Sequence, residues 1–403
     1  MNKENTAFKA AWFSLATIWF GGIVSVPALL IGSTLIGSLT FLNAILTGFI
    51  GFLIVVLLMY LISAKSVERR ESSVLISQRS FGSHGSKIIV GSVVGLSTLG
   101  WFGVQSNIAG ASFAEIVDEV WNIQLPVWLS SVFWGLIMVL TAVFGFKLLR
   151  WLNFIAVPAI IFLLIFGLYL VFQDHGINDL LSYVPESEMS IIQAIGLTIG
   201  FISVAVVISP DYNRFAKTKR DAFLGTLFGV LPSAFSLLSI GALLAITQGT
   251  HDIVKIFANL GFPLFAMTIL ILATWTSNVI NIYSSGLAFN SMLNMPEKLR
   301  SRTTLVVGLV GLLLAAVGII TYFLGFITLL TATVTPIAGV LIADFYFVKK
   351  ETSNIKFNWK GIVSWSGGVI IMVVLDLPLK YVLGILVSMV THYLLNLVDQ
   401  KND

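Results

Sequence analysis

The chain contains no cysteine, which excludes a disulfide framework and any thiolate metal site. Charge is scarce too. Asp, Glu, Lys and Arg make up 10% of the 403 residues, and 57% are hydrophobic; a soluble domain carries roughly 25% charged residues. Lipid is therefore the expected solvent for most of the chain. The most informative shortage is at depth. Glu115, Asp211 and Asp344 fall at the ends of apolar stretches, and His84, His175, His251 and His392 lie in loops or near the C-terminus. A proton-driven pump usually keeps a titratable group in the membrane. A cation site can instead be built from backbone carbonyls and hydroxyls, hard ligands that suit Na⁺ and need no buried charge. With no buried counter-ion on offer, the substrate is expected to be neutral. No cleavable signal peptide is evident either: the polar start MNKENTAFKAAWF runs directly into a long apolar stretch.

What is present is a series of apolar runs of about 20 residues. They place twelve spans near 10–36, 38–63, 86–115, 125–146, 149–172, 189–209, 222–247, 261–289, 302–321, 325–347, 361–376 and 378–398, the last two divided only by DLPLK. With a cytoplasmic N-terminus, 21 of the 23 basic residues fall on cytoplasmic segments; Lys255 and Lys380 are the exceptions. Both termini are then cytoplasmic, and the chain is a multi-pass protein of the cell's inner (plasma) membrane. The net charge of +4 is absorbed by this topology signal, so nucleic acid is not an expected partner. The longest interruptions are 64–86, 173–188, 248–260 and 348–360. The first predicts a short amphipathic helix around Ser73–Arg79. The third predicts an outer-side helix presenting Ile253, Ile256, Phe257 and Leu260 at helical spacing.

Two spans are built to break. ATIWFGGIVSVPALLIG (16–32) holds Gly21, Gly22 and Pro27, and IGLTIGFISVAVVISPD (195–211) holds Gly196, Gly200 and a terminal Ser-Pro-Asp. They are spans 1 and 6. Five spans apart is an odd number, so repeats starting there have opposite topology, and interrupted helices at matching positions point to a transporter's binding site. The expected organisation is a first five-helix repeat (1–172), an inverted second repeat (173–347), and two further helices with a cytoplasmic tail (348–403).

Polar and aromatic residues at depth supply the candidates. In STLGWFGVQSN (97–107), Trp101 and Gln105 share a helix face, an aromatic plane beside an amide that suits a flat heterocycle; a core Trp and an interhelical Gln is an equal alternative. In ILATWTSNVINIYSSG (271–286), Ala273, Thr276 and Ser277 share a face and offer one carbonyl and two hydroxyls to a cation, while Asn278 and Asn281 can hydrogen-bond a substrate. The competing account is hydroxyls bonded back to the helix and Asn as interhelical glue. Four polar residues within six positions are costly in lipid and favour a site. In GFIS, Gly200 would free backbone, Phe201 would stack opposite Trp101, and Ser203 would reach a ligand.

These stretches, together with PDYNRFAK after span 6 and PIAGVLIADFY in span 10, resemble the nucleobase–cation symporter-1 family of cytosine, purine and hydantoin permeases over essentially the whole chain. The resemblance implies a leucine-transporter-like fold with five-plus-five inverted repeats and alternating access. It implies Trp101 and Phe201 as the stacking pair, Gln105 and Ser203 as substrate contacts, and Ala273 (carbonyl), Thr276 and Ser277 as sodium ligands. Their span-1 partners would be carbonyls three residues apart, placed at Ile18 and Gly21. Thr98, one turn before Trp101, departs from the cytosine-permease pattern, and the span-8 asparagines fit no one branch.

The expected function is secondary active import of a nucleobase or related neutral heterocycle with Na⁺ as coupling ion, and no other cofactor. A monomer is the default unit. The rivals are a proton-coupled nucleobase, hydantoin or allantoin permease and an amino-acid transporter on the same fold. An integral-membrane enzyme would need an acid/base or metal cluster at a membrane face, and the polar loop clusters are basic; the expectation is that the chain is not an enzyme.

Overall fold

A proline divides the first span. The computed structural model describes residues 9–144, 146–174, 176–259, 263–348, 355–375 and 380–402; Lys3, His175, Leu260, Lys349, Lys350 and most of the DLPLK divider lie outside these. Helix α1 (Trp12–Ile23) stops, Val24 and Ser25 run extended, and α2 (Val26–Ile36) starts at an angle of 63°. Pro27 has no N–H to offer the Ile23 carbonyl, so the ladder must stop, and its fixed φ suits the first turn of α2. The opening therefore lies at Val24–Ser25, two to three residues beyond the Gly21–Gly22 pair that the sequence suggested. Glycine weakens a helix by about 1 kcal/mol, which does not by itself end one.

The remaining elements are α3 (Phe41–Arg69), α4 (Ser73–Phe81), α5 (Ser83–Trp121), α6 (Val127–Phe144), α7 (Phe146–Asp174), α8 (Ile177–Leu181), α9 (Ile191–Phe201), α10 (Ser203–Asn213), α11 (Lys219–Gln248), α12 (Ile253–Ala258), α13 (Pro263–Met292), α14 (Arg300–Ala316), α15 (Phe323–Tyr346), α16 (Trp359–Val374) and α17 (Lys380–Asn402). The twelve expected spans fall on α1/α2, α3, α5, α6, α7, α9/α10, α11, α13, α14, α15, α16 and α17. Among the described residues seven stretches are long and apolar enough to cross a bilayer, and the bent α1–α2 pair makes an eighth. The loop helices expected at Ser73–Arg79 and after His251 are α4 and α12.

Two sets of helices flank the break. Helix α11 packs along α1, α2 and α3, and α5 packs along α13 with α6 and α14 beside them. Close approach depends on missing side chains. A Cβ on Gly32 of α2 would sit 2.0 Å from the Leu238 carbonyl oxygen, and one on Gly241 of α11 would sit 2.1 Å from that of Leu29. The pair of glycines lets α2 and α11 cross backbone to backbone, as small residues do where no hydrophobic effect drives helices together. Helices α16 and α17 pack against each other and on α15.

Charged contacts gather at the face that carries the basic loops. Lys65 and Lys219 both pair with Glu68, and the Lys219 hydrogen bond holds that carboxyl below its usual range. Arg70 Nη1 donates to the carbonyls of Arg214 and Ala216, both at 2.6 Å. Helix α4 lies across this face. Ser73 donates its N–H and hydroxyl to the two oxygens of Asp211 at the end of α10 (2.9 and 2.7 Å), and Arg79 pairs with Asp344 of α15 at 2.9 Å.

Candidate functional site

The central pair of helices places most of the candidates. On α5, Trp101 and Gln105 lie one turn apart and are both buried. The Ser277 hydroxyl of α13 donates to Gln105 Oε1, so the amide predicted to read a ligand is fixed to the helix predicted to hold the ion. On α13 the Ala273 carbonyl accepts from Thr276 Oγ1 at 2.9 Å and from Ser277 Oγ at 3.1 Å. Two hydroxyls thus converge on one carbonyl oxygen. This is also the back-bonding that the competing account anticipated; a cation entering the cluster would take over the same lone pairs. Among the described residues no group of three or more His, Asp or Glu side chains could hold a metal ion.

Span 6 is also divided, by a single residue. Ile202 leaves helical geometry (φ −114°, ψ 18°) between α9 and α10. Phe201 ends α9 with its ring 5.5 Å from that of Trp101, centroid to centroid, at 86°. Phe323 and Phe326 of α15 bring their rings to 6.0 and 5.3 Å from Trp101, completing an aromatic box. Ser203, fully buried, donates to the Gly200 carbonyl at 2.9 Å and ties off the turn. Gly200 is required by packing: a Cβ there would lie 1.9 Å from Thr331 Oγ1 of α15.

Asn278 goes elsewhere. It is fully buried, and its amide nitrogen donates to the Phe102 carbonyl and Ser106 Oγ of α5, both at 3.0 Å, while Asn281 Nδ2 reaches its Oδ1 at 3.4 Å. The Asn278 amide nitrogen also meets Met138 Sδ of α6 at 3.2 Å, so in this structure Asn278 bonds helix to helix, as the competing account describes, and Asn281 leans on it.

The two span-1 residues expected as carbonyl ligands, Ile18 and Gly21, sit in different settings. Ile18 sits in the continuous part of α1, where its carbonyl belongs to the helical ladder. The Phe20 carbonyl accepts from the Val24 N–H at 3.0 Å, and Ile23 accepts from Ser25 Oγ at 3.3 Å. Gly21 stands in the last turn, where carbonyls point past the helix end. Val24 is three residues further, in the extended opening.

A buried cluster of acidic, basic and amide side chains at the basic face was not anticipated from the sequence. Asp344 is 1% exposed and His392 0%. His392 Nε2 lies 3.4 Å from Asp344 Oδ1, Ser80 Oγ donates to Asp344 Oδ2 at 3.1 Å, and Lys360 Nζ reaches Asn396 Oδ1 at 3.3 Å. The signal was present as Ser388, His392 and Asn396, a polar stripe at successive fourth positions of α17.

The chain matches, over residues 3–395, the family described as permeases for cytosine/purines, uracil, thiamine and allantoin. It is 28% identical over 372 residues to the cytosine permease of Escherichia coli (strain K12), covering 89% of this chain and 82% of that one. It is 25% identical over 418 residues to the hydantoin permease of Microbacterium maritypicum, covering 94% and 84%. In fold it is similar to the inward-facing structure of Mhp1, with a TM-score of 0.84 at 20% identity over 100% of this chain and 94% of that one. An all-helical, multi-span architecture broken at spans 1 and 6, with this match along nearly its whole length, makes the chain a member of the cytosine/purine, uracil, thiamine and allantoin permease family, whose members are membrane transporters and not enzymes.

Proposed function

We propose that the chain is a secondary active transporter that imports a neutral, flat nucleobase or related heterocycle together with Na⁺. The observation that carries this reading is the Gln105–Ser277 hydrogen bond. It joins the aromatic box around Trp101 to the Ala273–Thr276–Ser277 oxygens, so one small region offers both a stacking surface and a neutral cation cluster. Trp101 and Phe201 stack the base; Gln105 and Ser203 read its edge once their internal bonds exchange for ligand bonds. The ion takes the Ala273 carbonyl, the Thr276 and Ser277 hydroxyls and two span-1 carbonyls three residues apart, Gly21 in the last turn of α1 and Val24 in the opening. Sodium then draws α1 toward α13, and by linkage base and ion raise each other's affinity by the same factor. Residues 1–172 and 173–347 act as the two inverted repeats, 348–403 as an appended pair of helices. The basic face is cytoplasmic, the membrane is the plasma membrane, and a monomer suffices.

Proton coupling is the second reading, favoured by one observation: Asp344 and His392 form a buried titratable pair. Uptake of labelled cytosine, uracil, guanine, adenine, hydantoin and allantoin into vesicles separates the two when Na⁺ and pH gradients are imposed independently. Uptake that follows Na⁺ supports the first reading. Uptake that follows pH alone removes the sodium assignment, and failure of all six compounds removes the substrate class.

A further inference from the structure

An open-sided cavity lies at the face opposite the basic loops. It offers about 510 Å³ between the outer end of α2, the segment leading into α12, and the turn that starts α15. Ligand sites for small molecules run to roughly 300–1,000 Å³, so a one- or two-ring heterocycle fits. Its walls include Thr34, His251, Asp252, Thr321, Tyr322 and Phe323.

The chemistry of this lining is specific. Asp252 Oδ1 accepts the Val254 N–H at 2.9 Å and caps α12, which leaves its second oxygen as the acceptor for an entering group. Thr34 Oγ1 spends its proton on the Leu30 carbonyl at 2.7 Å and faces the world as an acceptor. His251 Nδ1 is buried and has no hydrogen-bond partner among the described residues, and buried polar atoms are ordinarily satisfied. Acceptors beside the rings of Tyr322 and Phe323 suit a planar molecule that carries N–H donors. Phe323 is the partition: it lines the cavity, is only 5% exposed, and holds its ring 6.0 Å from that of Trp101. The cavity is therefore one aromatic ring away from the inner box and distinct from it.

We infer that this cavity is an outer subsite that binds a second molecule of the same N–H-bearing planar base, stacked on the exposed ring of Tyr322 and hydrogen-bonded to Asp252. The inference rests on the nucleobase reading above. It gives the chain two base sites in series, divided by Phe323.

The test is binding stoichiometry on the full-length protein in nanodiscs, with labelled cytosine, uracil and hydantoin in saturating Na⁺. For whichever compound binds, the wild-type chain is expected to hold two molecules. Trp101→Ala should retain one, and Tyr322→Ala should retain one with the outer affinity reduced at least tenfold. Asp252→Asn, which keeps an acceptor on the α12 cap, should weaken the same outer site. One molecule per wild-type chain, lost in Trp101→Ala and unchanged in Tyr322→Ala, overturns the outer subsite and leaves the nucleobase reading standing. No binding of any of the three compounds overturns both.

Discussion

Trp101 and Phe201 meet edge to face, with centroids 5.5 Å apart and planes at 86°. A base sandwiched between them needs two parallel rings separated by twice the stacking distance, so Phe201, which ends α9 at the span-6 break, has to swing before a base can enter. Base–aromatic stacking is worth about 1–3 kcal/mol per base, roughly 5- to 150-fold in affinity. We expect Trp101→Ala to weaken inner-site binding of a labelled base by that range and Trp101→Phe to recover part of it. Unchanged binding in Trp101→Ala removes the stacking pair from the site.

The Thr276 hydroxyl bonds the Ala273 carbonyl in this structure and is proposed to turn to the ion. Thr276→Ala should raise the Na⁺ concentration for half-maximal uptake by roughly tenfold, about 1.4 kcal/mol. Base affinity at saturating Na⁺ should move much less, since linkage acts only through ion occupancy. A Na⁺ titration of uptake, with base binding measured at its plateau, distinguishes the two effects; equal losses in both would count against an ion ligand.

Asn278 and Gln105 separate in binding. Asn278→Ala strips the Phe102 carbonyl and Ser106 of a fully buried donor and should cost about 1–3 kcal/mol of stability, read as earlier unfolding in detergent. Once folded, the variant should bind base as the wild type does. Gln105→Ala also leaves a half-buried hydroxyl, that of Ser277, without this acceptor, so it should lower stability and, unlike Asn278→Ala, weaken base binding in the folded protein.

The glycines separate in the same way. Gly32→Ala and Gly241→Ala each press a methyl into facing backbone and should destabilise by about 1–3 kcal/mol. A Cβ at Gly22 meets nothing within 4 Å, and alanine is the better helix former by about 1 kcal/mol. Gly22→Ala should therefore melt at or above the wild-type temperature. If it melts as early as Gly32→Ala, that glycine serves a purpose the structure does not explain.

Asp221 anchors the start of α1: it accepts the Trp12 N–H at 3.0 Å and the Thr218 hydroxyl at 2.7 Å. The Thr218 hydrogen bond, joined by those from the Trp12 and Thr218 backbones, holds its carboxyl below the usual range. The folded state then binds this proton less readily than the unfolded state. The anchor is whole above the ordinary carboxylate value and is lost as pH falls through the lower folded value, below about pH 4. Hydrogen exchange of the peptide containing Trp12 should lose protection in that window. Asp221→Asn should flatten the pH dependence; an unaltered profile would place the titration on another group.

Much of this was legible because lipid leaves few options. Every backbone group must be satisfied internally, so apolar run length and the side of the basic residues fix the spans. The polar run on α13 was readable for the same reason, because four polar residues in six positions demand an explanation. Which partner each one takes was not readable. Asn278 and Ser277 are neighbours in sequence and take different partners, and only the approach of α5 sends one to Ser106 and the other to Gln105. The break in span 1 was legible as Pro27 but misplaced onto glycines, since a missing N–H acts on the carbonyl four residues back. Asp344 and His392 read as span-end residues because each alone is unremarkable; the pairing requires α15 and α17 to meet.

The Val24–Ser25 opening also bears on how the protein is made. Helix α1 has 12 residues, about 18 Å of helix, well short of the ~30 Å hydrocarbon layer. Its packing partner is α11, where Gly225 and Gly229 receive Leu15 and Trp19, and Trp19 Nε1 also donates to Asn213 Oδ1, the last residue of α10, at 3.1 Å. Those residues leave the ribosome some two hundred positions later. Helix α1 therefore waits for about half of the chain to be made before its packing surface exists, and until then only the bent pairing with α2 gives it the length of a span. Slowed translation ahead of α11 should lengthen that wait and expose the nascent chain to quality-control proteases.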